Sequence, residues 1–455
     1  MKRVTKISII AAILLSAFSC GEKENVDAAS KAYLRLDLQE KKVQNSAGSF
    51  EVYISSNTTW TIELQSEWIK TSRTSGKGNL SVRINYEANE SGKRTGALLF
   101  KADGIKPVQF LITQSSLLFS NPIFQMPDPY IVKDGDTYWT CKAQGNGINI
   151  SRSNKLSVVN GTRQVWATPY DSGSNKVWNR ANVWAPELFH IGDRWYIYYA
   201  AGRPTSETNG SYNTQRTGVL RSKTDDPSGA WEDMGMIYTG DNYTKGIVPT
   251  VDNTGYAIDM TVFELKGKLY AVWSGYPPGS GNQWLYIASM ENPYTINSNR
   301  IAISKPDQSW ELANSKINEG PAVLINEKAG KIFVVYSCNG SWTKHYRLGW
   351  IMLDMDKDPL VASNWTKSPQ QAFYRCDNTA EGVNGVNGVG HCTFTKSPDD
   401  TEDWIVYHVK RYGTDGWDER YAFIQKFTWN ADGTPNFGTP VGWGEELDLP
   451  SGESM

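Results

Sequence analysis

A hairpin-forming segment that occurs five times constrains the fold of this chain more than any other feature of its sequence. The clearest copy, residues 185–200, has an apolar strand, a Gly-Asp turn and a second strand dense in aromatic residues. This order is typical of a β-hairpin. The four other copies cover residues 128–141, 259–273, 319–336 and 391–408.

Each hairpin is followed by a further strand pattern, so that the repeating unit contains about four strands. One aromatic residue of the hairpin recurs in every unit, as Tyr138, Tyr196, Tyr270, Phe333 and Trp404. No stretch from residue 118 onward shows sustained helical periodicity. Because four-stranded units repeated in series form the blades of a β-propeller, we expect an all-β chain with a five-bladed β-propeller over residues 118–455.

A separate β domain is predicted over residues 33–115, ahead of the propeller. Short alternating strands separated by polar turns indicate a small immunoglobulin-like β-sandwich. Trp60, the pair Trp68-Ile69 and the closing segment 108–114 resemble the BACON domain. That resemblance implies binding of carbohydrate or mucin, whereas a spacer that holds the propeller away from the membrane is the alternative role.

Residues 1–20 have the composition of a secretory signal peptide. Basic residues come first, a short apolar run covers residues 7–15, and small residues precede Cys20. The apolar run is too short to span a bilayer as a helix. Small residues before a cysteine resemble a bacterial lipoprotein box, which implies lipidation of Cys20 and a flexible tether over residues 21–32.

The polar, acidic start of this tether is similar to the export tag of Bacteroidetes surface lipoproteins. We therefore expect an exported lipoprotein that is held on the outer membrane by its lipid anchor and is exposed at the cell surface.

Charge and cysteine content limit the classes of function. A formal net charge of -2 offers no basic field for nucleic acid. The content of 18 Trp and 23 Tyr favours a carbohydrate ligand, although most aromatic rings of a β protein fill its core. Cys141, Cys338, Cys376 and Cys392 lack the spacing of a zinc site, and any disulfide pairing among them stays open.

Ionisable residues open four of the five hairpins. The first strand of each propeller blade lines the central channel, so these residues should converge at one mouth of it, as Asp128, Asp259, Glu319 and His391. Three carboxylates that face one small volume repel each other and need either cationic partners or a chemical use. Clustered carboxylates with divergent pKa values perform glycoside hydrolysis.

Five short motifs stand at these strands. They are Pro127-Asp-Pro129, Trp184-Ala-Pro-Glu187, the run 258–263, Glu319-Gly-Pro321 and Gly390-His391. In this order they make residues 118–450 similar to glycoside hydrolase family 43. The resemblance implies that Asp128 is the general base, that Glu319 is the general acid, and that Asp259 orients the acid and raises its pKa. It also implies inversion, which needs base and acid about 6.5–9.5 Å apart.

The resemblance also implies roles for residues beside the three carboxylates. His391 would lie near a central ion, commonly a structural calcium, or would instead be held by water or backbone; the chemistry itself requires no cofactor. Trp184 is a candidate sugar-stacking wall, with core packing as the alternative. Arg420 is a candidate substrate contact, with simple solvation as the alternative. Glu187 is assigned a structural role.

The second hairpin differs from the others in its first residue. Ala185 stands where the first hairpin has Asp128, which leaves room for a sugar ring beside Trp184. Segments such as 184–201 and 318–324 look most like arabinofuranosidase-type members of the family. We therefore expect a monomeric, exo-acting α-L-arabinofuranosidase for plant cell-wall polysaccharides or oligosaccharides. The alternatives are a β-xylosidase or exo-β-galactosidase of the same family, a non-catalytic carbohydrate-binding propeller, and a surface adhesin or scaffold.

Overall fold

A computed structural model describes residues 31–89, 93–114, 118–169 and 177–453. Residues 1–20, with the lipidation candidate Cys20, lie outside the described residues, as does most of the predicted tether 21–32. The chain divides into two compact units, one built mainly from residues 48–86 and 96–111 and the other mainly from residues 112–455. No helix among the described residues is long and apolar enough to cross a membrane.

The strands ahead of the propeller are β1 (Leu34–Leu36), β2 (Glu40–Val43), β3 (Gly48–Ser56), β4 (Thr59–Leu64), β5 (Ile69–Thr71), β6 (Ser75–Lys77), β7 (Leu80–Tyr86), β8 (Arg94–Ala102) and β9 (Ile105–Gln114). They form two β-sheets with the strand orders β1-β3-β7-β5 and β2-β9-β8-β4-β6. Alternate residues of the long strands point inward, and Val52, Ile54, Leu98 and Phe100 are fully buried. This period of two is what the alternating sequence predicts.

The second unit begins with strand β10 (Leu118–Ser120), and five sheets follow in chain order. Each sheet uses consecutive strands, and neighbouring strands are antiparallel. We call these sheets blades 1 to 5.

The blade strands are, in blade 1, β11 (Tyr130–Asp134), β12 (Thr137–Gln144), β13 (Gly147–Ser153) and β14 (Arg163–Ala167); in blade 2, β15 (Ala181–Ile191), β16 (Arg194–Gly202), β17 (Arg216–Ser222) and β18 (Trp231–Met236); in blade 3, β19 (Ala257–Leu265), β20 (Lys268–Gly275), β21 (Trp284–Asn292), β22 (Thr295–Ile296) and β23 (Ile301–Ser304); in blade 4, β24 (Asn318–Asn326), β25 (Lys331–Cys338), β26 (Arg347–Asp354) and β27 (Thr366–Lys367); in blade 5, β28 (Asn387–Lys396), β29 (Asp403–Lys410), β30 (Arg420–Trp429) and β31 (Pro435–Asn436). The last strand, β32 (Glu446–Asp448), pairs with β10.

The first strands of the blades form a closed ring. Each of β11, β15, β19, β24 and β28 contacts the next, and β28 contacts β11 again. This closure is the arrangement of a five-bladed β-propeller. Helical structure within the described residues is confined to four 3-10 turns, Thr205–Glu207, Ser309–Leu312, Glu327–Ala329 and Ala362–Asn364.

The beginning of the second unit joins the last blade and closes the ring. The Ile123 N–H donates to the Ala422 carbonyl at 2.9 Å, and the Ala422 N–H donates to the Phe124 carbonyl at 2.8 Å. The Asn121 side chain bonds both backbone groups of Ile424 at 2.9 Å. These bonds satisfy backbone groups that an open edge strand would expose.

Packing between successive blades is apolar and aromatic. Blades 4 and 5, for example, enclose a cluster that includes Phe333, Phe373, Tyr407 and Phe427. Buried free thiols contribute to the cores between blades, as Cys141, Cys338 and Cys392, whereas the free thiol of Cys376 is half-buried.

One backbone feature repeats at the inner strand of every blade. A residue with φ in the left-handed region stands at the equivalent place in each blade, as Asp128 (φ 49°), Ala185 (φ 40°), Asp259 (φ 56°), Gly320 (φ 55°) and His391 (φ 46°). Strand pairing is irregular there in blades 2 to 5. Bulges of this kind change the direction in which a side chain points. Ala185 therefore stands in the place of Asp128, whereas Glu319 lies one residue before that place.

Candidate active site

A cavity of about 600 Å³ opens at one mouth of the ring. Its floor contains the three carboxylates that the sequence singles out, Asp128, Asp259 and Glu319, beside His391 and Arg420. Its walls are aromatic and include Trp184, Tyr212, Tyr256, Tyr276, Trp342 and Trp417. The six residues that the sequence singles out as catalytic, ion-binding or substrate-binding candidates therefore line one cavity, because Trp184 is among its wall residues.

Asp128 is surrounded by nitrogen atoms. Its Oδ1 accepts a hydrogen bond from Arg420 Nη1 at 3.1 Å and lies 3.3 Å from His391 Nδ1 and 3.4 Å from His408 Nδ1. Burial alone would raise the pKa of Asp128, but the Arg420 guanidinium above all holds that pKa well below its usual range. The carboxyl is therefore ionised at neutral pH and able to accept a proton.

Glu319 has the opposite character. Its carboxyl is buried, and its Oε2 accepts a hydrogen bond from Gln283 Nε2 at 3.1 Å. Burial raises the pKa of Glu319 to about 7, with Tyr346 and Gln283 lowering it and the charge of Asp128 raising it. A carboxyl with this pKa is protonated in a large fraction of the molecules at neutral pH and can therefore act as a general acid.

Asp259 connects the two. Its Oδ2 accepts the backbone N–H of Gly320 at 3.0 Å, the residue that follows Glu319. Burial, and then the charges of Glu319 and Asp128, raise the pKa of Asp259 well above its usual value. Because the charge of Glu319 raises the pKa of Asp259 and both carboxyls are buried, the two together retain a proton near neutral pH.

His391 is held in place by Ser337, and its imidazole lies against Asp128 and Gly320. The backbone N–H of His391 donates to the side-chain Oγ of Ser337 at 2.7 Å. A Cβ added to Gly320 would lie 3.1 Å from His391 Nδ1. Burial lowers the pKa of His391, which keeps the imidazole neutral. Within the described ranges, no three His, Cys, Asp or Glu side chains converge as metal ligands. The donor set around His391 therefore gives no support to the calcium expectation.

Arg420 and Trp184 take part in the cavity rather than in a solvated face or the core alone. Arg420 Nε donates to the Trp417 carbonyl at 2.9 Å, which aims the guanidinium at Asp128. Trp184 meets the ring of Tyr212 edge-on, with 4.9 Å between centroids.

Two further aromatic pairs complete the rim. Tyr256 and Tyr276 stack at 4.0 Å with an interplanar angle of 6°, and Trp342 and Trp417 lie 4.9 Å apart. Trp417 remains 53% exposed, so its ring is available to a ligand. Flat aromatic faces with a polar edge suit sugar rings.

Three polar residues of the site could not be identified from the sequence. Gln283 and Tyr346 lie in loops whose course a repeat pattern does not define. His408 is the last residue of the fifth hairpin copy, and its imidazole turns out to bond the Asp128 N–H at 3.2 Å. Only the strand register, which pairs Gly390 with His408, shows that this side chain reaches the carboxylates.

Glu187 lies close behind the carboxylate floor. It is 4% exposed, and its Oε2 has no hydrogen-bonding partner among the described residues. Burial raises the pKa of Glu187 well above its usual value, with Thr261 opposing the shift and the charge of Asp259 adding to it. A neutral, buried carboxyl agrees with the structural role assigned from the sequence.

Comparison with known proteins gives this site a family. Residues 119–435 match the family described as glycosyl hydrolases family 43, and residues 30–115 match the viral BACON domain. An extracellular exo-alpha-(1->5)-L-arabinofuranosidase of Streptomyces avermitilis is 35% identical over 339 residues, which is 72% of this chain and 64% of that protein. Alpha-L-arabinofuranosidase B of Pyricularia oryzae is 35% identical over 268 residues, which is 57% of this chain and 50% of that protein.

A solved structure supports the fold. The alpha-L-arabinofuranosidase from Lactobacillus brevis is 33% identical and superposes with a TM-score of 0.61, over 71% of this chain and 97% of that one. The chain spans only 64% and 50% of the two curated relatives named above. The resemblances to glycoside hydrolase family 43 and to the BACON domain are confirmed: the chain belongs to glycosyl hydrolases family 43 and carries an N-terminal BACON domain.

Proposed function

We propose that this protein is an inverting, exo-acting α-L-arabinofuranosidase. The observation that carries the proposal is the opposite protonation of two carboxyls in one cavity, with an ionised Asp128 and a Glu319 whose pKa is about 7. A binding protein needs no such pair of base and acid. The similarity to two arabinofuranosidases, from Streptomyces avermitilis and Pyricularia oryzae, favours arabinofuranose as the sugar.

The reaction follows from these protonation states. Asp128 accepts a proton from a water molecule as the water oxygen bonds the anomeric carbon. Glu319 gives its proton to the glycosidic oxygen as the bond to the leaving group breaks. Because the water attacks the face opposite the leaving group, the configuration inverts, and base and acid need about 6.5–9.5 Å between them. Asp259 fixes the backbone at Gly320 and thereby the orientation of Glu319.

The aromatic walls would hold the sugar. In this proposal the ring of Trp184 stacks on the sugar beside the small Ala185. Arg420 donates a hydrogen bond to Asp128 and also contacts the substrate. A β-xylosidase, an exo-β-galactosidase and a non-catalytic carbohydrate-binding propeller are the competing functions.

Placement in the cell is a further part of the proposal. A lipid on Cys20 would anchor a monomer to the outer membrane. The tether 21–32 and the domain 33–115 would then serve as a spacer ahead of the catalytic domain 118–455. The substrate would be a plant polysaccharide or oligosaccharide. Two relatives that are named extracellular arabinofuranosidases support a location outside the cell. Changing Cys20→Ala should release the protein from membranes, and unchanged membrane partitioning would refute the anchor.

Activity assays test the chemistry. Protein purified without its signal segment should hydrolyse an aryl α-L-arabinofuranoside faster than an aryl β-D-xyloside. Asp128→Asn and Glu319→Gln should each lose most of this activity, whereas Asp136→Asn, in the exposed turn between β11 and β12, should retain it.

Two outcomes contradict the proposal. Absence of turnover on both glycosides and on arabinan, arabinogalactan and galactan would exclude the enzymatic function. Proton NMR that shows a first-formed sugar of retained configuration would remove Asp128 from the role of base.

A further inference from the structure

His408 lies at the seam between the last blade and the first. It is on β29, the second strand of blade 5, and is wholly buried. Its Nδ1 accepts a hydrogen bond from the backbone N–H of Asp128 at 3.2 Å. The imidazole is not among the groups that line the cavity, so its contact is with the candidate base and not with the substrate.

The backbone at Asp128 needs such a partner. Asp128 has φ of 49°, a conformation that costs free energy in any residue with a side chain. Pro127 and Pro129 flank it. Because proline has no N–H, the Asp128 N–H is the only backbone donor of this tripeptide. Only the N–H of Asp128 can therefore fix the backbone of this tripeptide by donating a hydrogen bond, and its acceptor is His408 in blade 5.

The hydrogen bond from Asp128 indicates the tautomer of the imidazole. A ring nitrogen that accepts a hydrogen bond carries no proton, so the neutral ring has its proton on Nε2, a buried atom with no hydrogen-bonding partner among the described residues. Burial lowers the pKa of His408 to about 4, with the Asp128 carboxylate opposing the shift and Arg420 and His391 adding to it. The ring is thus neutral, and Nδ1 stays available as an acceptor at the pH of the reaction.

Aromatic neighbours keep the ring in this orientation. Tyr346 is stacked on His408 with 5.4 Å between centroids and an angle of 11°, and His391 lies on the same ring at 6.2 Å. Gly390 leaves space for Tyr346, because an added Cβ would come within 2.3 Å of that ring. Tyr346 is in turn close enough to Glu319 to lower its pKa. The stack therefore connects the surroundings of the candidate base with those of the candidate acid.

We propose that His408 is a positioning residue for the general base: its Nδ1 holds the Asp128 N–H and so fixes the strained backbone from which the carboxylate reaches the attacking water. The inference rests on the proposed function. The role requires a hydrogen-bond acceptor at the place of Nδ1, and neither the size nor the charge of the histidine side chain.

Substitutions can separate the acceptor from the ring. In His408→Asn the side-chain oxygen takes the place of Nδ1, whereas in His408→Gln the polar group reaches the place of Nε2. His408→Phe fills the space with no acceptor. We expect kcat on an aryl arabinofuranoside to fall about 100-fold in His408→Phe, the cost of a misplacement on the order of 1 Å, with little change in KM. His408→Asn should retain at least tenfold more kcat than His408→Gln.

The controls distinguish this inference from the function on which it rests. His190→Phe, in the hairpin of blade 2, should keep wild-type kinetics, and thermal unfolding of every variant reports whether it is folded. Inactive wild-type protein refutes the proposed function. Active wild-type protein with equal kcat in His408→Asn and His408→Gln, or with His408→Phe within threefold of wild type, refutes the role of His408. Should His408→Phe not fold, the comparison of Asn with Gln decides.

Discussion

Gln283 is predicted to set the pH at which the protein loses activity on its alkaline side. Its Nε2 donates to Glu319 Oε2 at 3.1 Å and to Ser274 Oγ at 3.0 Å, and the residue is buried. The donated hydrogen bond stabilises the ionised form of Glu319 and so lowers its pKa. Gln283→Leu removes this bond and should raise the pKa of the acid.

The size of the shift follows from the difference between two hydrogen bonds. A hydrogen bond to a charged group contributes about 1.5–3 kcal/mol and one to a neutral group about 0.5–1.5 kcal/mol. The protonated carboxyl loses the smaller amount, so the net change is about 1 kcal/mol, or about 0.7 pH unit. The pKa of Glu319, about 7 in the wild type, should rise by that amount. Because Glu319 works in its protonated form, activity should persist to higher pH.

The assay is the pH dependence of kcat/KM on a substrate whose leaving group is a sugar. An alcohol leaving group needs protonation, so its alkaline limb reports the free enzyme's general acid. Gln371→Leu is the control, because that exposed amide binds Arg347 away from the carboxylates. An alkaline limb that stays in place or moves to lower pH in Gln283→Leu, with Gln371→Leu unchanged, would refute the hydrogen bond as a determinant of the acid's pKa.

Three more substitutions, at Arg420, Lys367 and Trp417, have outcomes that their contacts predict. Arg420→Met removes the cation that keeps the pKa of Asp128 low, so the acid limb of the same pH profile should move up by about 1–3 units. Lys367→Met leaves the fully buried Glu311 without its ion-pair partner and should lower the free energy of unfolding by about 3–5 kcal/mol, measured by urea denaturation. Trp417→Ala removes an exposed ring of the rim and should weaken binding by about 0.5–1.5 kcal/mol, seen as a rise in KM for arabino-oligosaccharides but not in the unfolding midpoint.

The repeated hairpin was enough to predict the blades and the meeting of the three carboxylates. Strands of equal pattern in consecutive blades place their first residues at one mouth, and Asp128, Asp259 and Glu319 line one cavity there. The left-handed residue in each inner strand was not predicted, since periodicity does not show a bulge. As a consequence, the offset of Glu319 by one residue from Asp128 became visible only in the structure.

The residues that surround the carboxylates were harder to predict for a different reason. His408 looks like any other residue at the end of a strand, and its contact with Asp128 depends on the register of β28 and β29 and on the closure of the ring. Gln283 and Trp417 belong to connections between strands, where no repeat fixes the path of the chain. Arg420 could be named from the family resemblance, but its bond to Asp128 could not.

Ring closure has a consequence for how the protein matures. The bond between the Asp128 N–H and His408 joins residues 280 positions apart, and the bonds of Asn121 to Ile424 join residues 303 apart. Contacts of such long sequence separation close the largest loops and form after local hairpins. The candidate base therefore gains its final surroundings only once the fifth blade has been synthesised and has docked on the first. Appearance of hydrolytic activity during refolding would then time the last docking step of the propeller, later than the gain of strand content seen by circular dichroism.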